Sequence, residues 1–365
     1  MKKTLLAIAA MVAMVACNND YVVKEAAPEA IGFDNAFVNN STRSVSDPSF
    51  NAGNMFADFQ VFGYVEGAPL FNVDNSGVRV AKDINTNIDG QVNTEWKYSG
   101  TQYWIAGANY NFNAVAPATN GGWTKADTTD ATKTTLSFTN DGKTDLLYAT
   151  VAQQGLVSEN PEVAFTFRHT LSKVKFSFEN AYNASNATIR VKGIKITDAY
   201  KTATVVLKAA TETTPTAWSD QAKAAGFVLD FGMATDDQAT TPDKENDEVA
   251  FAYGKTYESQ NELFMIPGAG PTVVDGNKTY TVTFIVELLV SGSVVKSYEH
   301  TINAVFAPEA GMSYDLKATI NAENIDPLNE QEPIVFTVTA ITDWANGNTT
   351  DGDDDDSEPD HVPVN

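Results

Sequence analysis

Residues 163–178 read V-A-F-T-F-R-H-T-L-S-K-V-K-F-S-F, an alternation of apolar and polar side chains that suits an extended strand. Val163, Phe165, Phe167, His169 and Leu171 share one parity, while Val174, Phe176 and Phe178 share the other. Successive side chains of a strand point to opposite faces, so the second half turns away from the first unless the ladder breaks near Ser172-Lys173. A β-bulge or a crossing between sheets repairs such a slip, and a bulge is expected here. Ile189 and Val191 slip in the same way against Ile194 and Ile196, with Gly193 at the break, and a second bulge is expected there.

Shorter strand patterns recur at residues 59–65, 95–98, 103–105, 110–116, 134–139 and 145–151. Turn clusters such as Asn120-Gly121-Gly122 and Asn140-Asp141-Gly142 separate them. Tyr280, Val282, Phe284, Val286 and Leu288, then Ser291-Gly292-Ser293, then Tyr298 and Ile302, read as a hairpin. Helical periodicity is rare, its best candidate being residues 219–226. The pattern predicts an all-β chain of β-sandwich-like domains. At 365 residues there is room for two, and a boundary near Glu159-Asn160-Pro161 gives domains at 44–160 and 161–344. Residues 345–365, rich in Gly, Asp and Pro, are expected to be a disordered acidic tail.

The N-terminal part has its own logic. Residues 1–16 carry Lys2 and Lys3 and then an apolar run, the shape of a signal peptide and too short for a permanent membrane span. Cys17, the chain's single cysteine, follows Met14-Val15-Ala16 in a segment that resembles a bacterial lipobox. Several acyl chains, each contributing about 0.8 kcal/mol per buried CH₂, would make a stable anchor there. Residues 18–30 form a polar tether. In 31–37, Ile31, Phe33 and Phe37 share one side of an extended chain, and near the other end Ile334, Phe336, Val338 and Ala340 make a similar stripe. Two such strands could fill one groove at different times. Between Lys24 and Arg79 the one basic residue is Arg43, set in polar Asn39-Asn40-Ser41-Thr42. Such a polar loop is where proteases cut, though a plain surface arginine reads the same way.

Formal charge is −23, and removing residues 1–16 leaves 22 basic against 47 acidic side chains, or −25. That balance repels phosphate backbones and argues against nucleic-acid binding. No G-x-S-x-G, P-loop or H-E-x-x-H pattern occurs. His169 and His300 are in phase with apolar neighbours and are expected to be hydrogen-bonded and partly buried; His361 stands apart from both. Residues 351–356 imitate a calcium loop, but Asp356 stands where glycine is needed and Val362 where glutamate is. Trp96, Tyr103, Trp104 and Trp123 could form a sugar-stacking platform, though packing is the simpler expectation. Neither enzyme, metal nor cofactor is expected.

The lipobox, Ile31-Gly32-Phe33, the loop arginine, F-Q-V-F-G-Y at 59–64 and Trp96 followed by Tyr103-Trp104 come in a telling order. Y-N-F-N-A-V-A-P at 110–117, D-L-L-Y-A at 145–149 and F-T-F-R-H-T-L-S-K at 165–173 continue it. Together they resemble the fimbrillin family, Bacteroidales surface lipoproteins that include type V pilus subunits. The resemblance covers most of the chain to about residue 178. It implies two transthyretin-like β-sandwich domains, export to the outer membrane, and cleavage by an arginine-specific or trypsin-like protease. It also implies assembly with other fimbrial subunits and cell adhesion through a host or bacterial surface receptor. Carried over, Cys17 is the lipidated residue, Arg43-Ser44 the processing site, Ile31, Phe33 and Phe37 the displaced strand, and Ile334, Phe336, Val338 and Ala340 the donor strand. The acidic tail departs from the family pattern. The alternative is a monomeric surface lipoprotein that binds glycan or a host ligand without polymerising.

Overall fold

A computed structural model of the chain describes residues 28–38, 58–71, 76–82, 87–88, 91–92, 96–126, 134–157, 159–207, 216–235, 250–325 and 334–341. These are nearly all β, and their one helix is the single turn Ala322–Ile325. The principal strands before residue 170 are β1 (Phe33–Val38), β2 (Asp58–Val65), β3 (Val78–Lys82), β4 (Asn109–Ala116), β5 (Trp123–Lys125), β6 (Thr134–Thr139), β7 (Leu147–Gln154) and β8 (Val163–His169). After it come β9 (Ser172–Asn180), β10 (Ala187–Ile196), β11 (Thr202–Leu207), β12 (Thr216–Ala222), β13 (Leu229–Gly232), β14 (Thr256–Ser259) and β15 (Leu263–Met265). The last are β16 (Thr272–Val274), β17 (Asn277–Val290), β18 (Ser293–Ala304), β19 (Ser313–Ile320) and β20 (Phe336–Ile341).

The first sheet runs β1-β8-β7-β4-β2-β3 and ends on Trp96–Lys97. β1 is parallel to β8. Alternation along each strand divides the side chains between two apolar faces. One face carries Phe59, Val61, Tyr110, Phe112, Phe165 and Phe167. The sheet curls around it until Phe33 on β1 meets Tyr98, just past the far edge, with ring centroids 5.2 Å apart. The other face, with Phe62, Tyr64, Val115 and Tyr148, packs on Leu136, Phe138, Val205 and Leu207. Those come from a second sheet in the order β12-β11-β6-β5.

The covering sheet thus joins strands from early and late in the chain. The helix expected over 219–226 is a strand to Ala222 instead, in antiparallel register with β11. Tertiary packing overrides the Ala/Lys propensity: Trp218 packs on Phe138 at 5.8 Å and donates its indole N–H to the Thr170 carbonyl at 3.1 Å. The strand expected at 103–105 reduces to a single bridge between Tyr103 and Ala30.

Near Ser172-Lys173 the expected bulge is a crossing. β8 ends at His169 in the first sheet, although it lies beyond the expected division at 160/161, and β9 begins at Ser172 in the second unit. One apolar run therefore feeds three cores: Val163 to Phe167 the first, Leu171 the covering-sheet core, and Val174 to Phe178 the third. The second slip is a bulge, with the register shifting between Lys192 and Lys195 and Gly193 at φ +63°.

The third core lies between two sheets. One holds β14-β9-β19-β20, with β15 also on β9; the other holds β13-β10-β17, with β16 and β18 also on β17. β17 and β18 form the expected hairpin through Ser291 and Gly292, both at positive φ, the conformation of a type I′ turn. Phe176, Phe178, Phe231, Phe284 and Leu316 fill the space between the sheets.

Candidate functional site

The strand pair singled out by sequence occupies two sheet edges. At the N-terminal one, Ile31 N–H donates to the Gln102 carbonyl at 2.8 Å and Trp104 N–H to the Glu29 carbonyl at 2.9 Å. Tyr98 Oη donates to the Ile31 carbonyl at 2.8 Å. The Glu29 carboxylate accepts two 2.8 Å hydrogen bonds from Asn160, which hold its carboxyl below the usual range. Phe33 is 3% exposed and meets five rings: Phe59, Phe71, Tyr98, Phe112 and Phe165. Burying one such ring is worth about 1.5–3 kcal/mol.

The register sets Phe33 beside Val163, then slips between Asp34 and Phe37, placing Phe37 beside Thr166 and Val38 beside Phe167. β8 has little other ladder pairing. Its ladder to β7 consists of Leu147 with His169 and Tyr148 with Arg168. Beyond that the strands splay around a cavity of about 260 Å³ lined by Tyr148, Thr150, Thr166 and Arg168 among others. Among the described residues, β8 pairs over 163–167 with β1 alone.

At the C-terminal edge, β20 is antiparallel to β19, from Phe336 opposite Ala318 to Ile341 opposite Ser313. Ile334 is buried, and Phe336 and Val338 are half-buried on the same side. Phe336 meets Phe176 at 5.4 Å, Phe284 at 5.9 Å and Phe178 at 6.1 Å. Ala340 sits opposite Tyr314 in the ladder. So the two stripes are seated in separate grooves, one parallel and one antiparallel to its neighbour. Cys17, Arg43, Ser44, the signal segment 1–16 and the tail 345–365 lie outside the described residues.

The remaining polar groups do structural work. His169 Nδ1 is hydrogen-bonded to the Asp145 carboxylate, as a partly buried histidine should be. His300 departs from expectation: it is buried and stacked on Phe284 at 5.3 Å, and its Nε2 finds no partner among the described residues. Burial pushes its pKa down. Trp96, Trp104 and Trp123 pack edge-on against Phe59, Tyr110 and Phe62, which leaves Tyr103 alone at the surface. His361 and the Asp351 run lie outside the described residues. Sequence reasoning missed Asp58. Burial raises its pKa, but hydrogen bonds from Thr119 and Arg79 outweigh burial and hold it low. It accepts from the Ala118 and Thr119 amides at 3.0 Å each and pairs with Arg79 at 2.6 Å. An acid at the start of an apolar strand, in the D-F-Q-V-F sequence, was the available signal.

A family model described as fimbrillin-like matches residues 42–344. The chain belongs to the fimbrillin-like family. Membership supports a fimbrial-type adhesion role at the cell surface, in company with other fimbrial subunits. No curated protein matches the chain. Among solved structures, the fimbrial anchor protein Mfa2 from Porphyromonas gingivalis is similar at TM-score 0.34 and 11% identity, over 86% of this chain and 97% of that one. A provisionally named cell adhesion protein from Bacteroides ovatus ATCC 8483 is similar at TM-score 0.41 and 14% identity, over 86% and 96%. The fimbrillin-like assignment rests on the family model. Among the described residues no cluster of His, Cys, Asp and Glu is placed to hold a metal ion.

Proposed function

We propose that this chain is a fimbrial subunit or fimbria-associated surface lipoprotein, not an enzyme, that assembles by protease-triggered strand exchange. Cys17 carries the lipid, a trypsin-like or arginine-specific protease cuts between Arg43 and Ser44, and the segment bearing Ile31, Phe33 and Phe37 leaves. The stripe Ile334, Phe336, Val338 and Ala340 of a neighbouring subunit then fills the vacated groove. The observation carrying this reading is the seat of β1. It is an edge strand with Phe33 plugged among five rings, and it is the neighbour that holds β8 over 163–167. Its departure would leave an apolar slot beside unpaired backbone, the surface that invites strand addition. Each refilled large side chain would return about 1.5–3 kcal/mol, and each ladder hydrogen bond about 1 kcal/mol, before ordering costs.

One observation favours the monomeric alternative, a surface lipoprotein that binds glycan or host ligand. Ile334 is 2% exposed and Phe336 packs on three rings of its own sandwich, so donation must first empty that seat. The mass and N-terminal sequence of protein taken from cells separate the two. A polymerised subunit begins at Ser44 and runs as a ladder on unboiled gels; a monomer that keeps an acylated Cys17 sinks the exchange reading.

A further inference from the structure

Among the described residues before Thr170, the large hydrophobic side chains left exposed are Tyr103 (49%), Ile105 (57%), Leu156 (49%) and Val157 (84%). They belong to two loops far apart in sequence that are laced together. Gly107 N–H donates to the Gly155 carbonyl at 2.8 Å and Gly155 N–H to the Ala108 carbonyl at 2.9 Å. A Cβ on Gly155 would lie 2.2 Å from the Ile105 carbonyl oxygen, so the loops meet more closely than any side chain at 155 would permit. The lacing sets these four exposed residues on adjoining loops. Clustered exposure of this kind marks an interaction surface, unlike single apolar residues scattered over a protein.

The tether comes in at this surface. Glu29 bonds Trp104 through its carbonyl and Asn160 through its carboxylate, and Ala30 bridges Tyr103. Ten residues, 18–27, separate Cys17 from Pro28, and a chain of that length reaches at most about 35 Å. A lipid on Cys17 would thus keep the two loops within about 35 Å of the membrane plane, in reach of it. Tyrosine with aliphatic neighbours is the composition that settles at a bilayer interface. The charges tied to these loops include Glu29 on Asn160 and Glu66 on the Asn109 amide, on a chain of formal charge −23, which disfavours an anionic lipid surface.

We infer that the paired loops bearing Tyr103, Ile105, Leu156 and Val157 dock on a zwitterionic lipid surface and hold the anchored chain against the membrane. This rests on Cys17 being the lipid-bearing residue; once β1 and the tether were cut away, the contact would lose its anchor.

The test avoids dependence on acylation in the cell. The chain from Cys17 onward is coupled through its one thiol to a maleimide lipid in phosphatidylcholine vesicles, with the same chain capped and soluble as control. Hydrogen exchange should slow several-fold at residues 103–108 and 155–157, stay unchanged at the Ser291-Gly292 turn, and slow less on phosphatidylglycerol vesicles. The double substitution Ile105→Ser and Val157→Ser, both at exposed positions, should abolish the protection. Unchanged exchange in the coupled chain, protection that survives the double substitution, or equal protection in the soluble control through self-association would each overturn the inference. The mass of the native surface protein decides acylation separately, so an unlipidated Cys17 with protected loops removes the anchor and leaves the docking surface standing.

Discussion

Phe33 and Phe165 lie nearly parallel, their ring centroids 5.8 Å apart and their planes 20° off, across the pairing of β1 with β8. A short parallel edge strand is weakly held by its own ladder, so this ring carries much of what fixes it. Phe33→Ala should cost about 3–5 kcal/mol, the usual range for a buried phenylalanine that cannot be replaced by collapse. Denaturant midpoints at unchanged m-value measure it, and a cost below about 1 kcal/mol would remove Phe33 as the plug.

Removing the chain through Arg43 probes the same seat from the backbone side. β7 keeps β4 as a neighbour from Leu147 to Gln154, whereas β8 over 163–167 loses β1. Exchange at 163–167 should accelerate by on the order of tenfold or more while that of 149–154 changes little, because local opening follows the number of partners lost. Equal acceleration in both strands would mean that the unit opens as a whole.

What the sequence disclosed and what it concealed have a common physical cause. Strands whose alternation is bounded by turn residues, such as β4 or the β17–β18 hairpin, were legible because period and punctuation agree. The same holds for the Gly193 bulge, where a phase slip coincides with the residue suited to positive φ. The crossing at Thr170 was half legible: alternation recorded that the face changes, but a bulge and a change of sheet produce the same slip. The β11–β12 hairpin was hidden, since what makes 216–222 a strand is Trp218 docking on Phe138, a partner about eighty residues away. The seats of Phe33 and Phe336 were foreseeable as stripes. Their opposite strand polarity was not, because alternation carries no sign of direction.

His300 gives the chain an acid-sensitive element. The ring stacks on Phe284, which in turn touches Phe336 on the terminal strand. Burial holds its folded-state pKa below the unfolded value near 6.5, so the neutral ring is the folded form. Below about pH 6.5 the unfolded chain takes up a proton that the folded one resists, and stability falls until the folded pKa is passed. Asp315 acts in the opposite sense, since burial raises its pKa and protonation in acid relieves it. Comparing wild type with His300→Gln isolates the histidine: between pH 8 and 5 the wild type should lose more stability than the variant. Parallel pH profiles would dismiss the effect.

Asp58 predicts acid loss of another kind. Its carboxylate ties the end of β4, through the Ala118 and Thr119 amides, to Arg79 on β3. The folded pKa is depressed, so the stabilisation is present above the unfolded value near 3.9 and disappears as pH falls through the folded one. Asp58→Ala should cost about 1–3 kcal/mol at pH 7, because it removes the acceptor that the half-exposed Ala118, Thr119 and Arg79 donors share, and the cost should shrink towards pH 2. A deficit equal at both pH values would show that packing, not charge, is what Asp58 supplies.

The terminal strand offers the closest contrast between neighbours. Phe336 lies half-buried among Phe176, Phe178 and Phe284, while adjacent Val335 is 74% exposed on the opposite face. Phe336→Ala should lower the stability of the second sandwich by about 2–4 kcal/mol, less than a fully enclosed ring would, and Val335→Ala should stay within about 0.5 kcal/mol. In a strand-exchanged polymer the same Phe336 substitution should also shorten the ladder on unboiled gels, since the ring would then serve the neighbouring subunit. Loss of monomer stability with polymer length unchanged would mean that β20 stays at home in its own sandwich and that another segment joins the subunits.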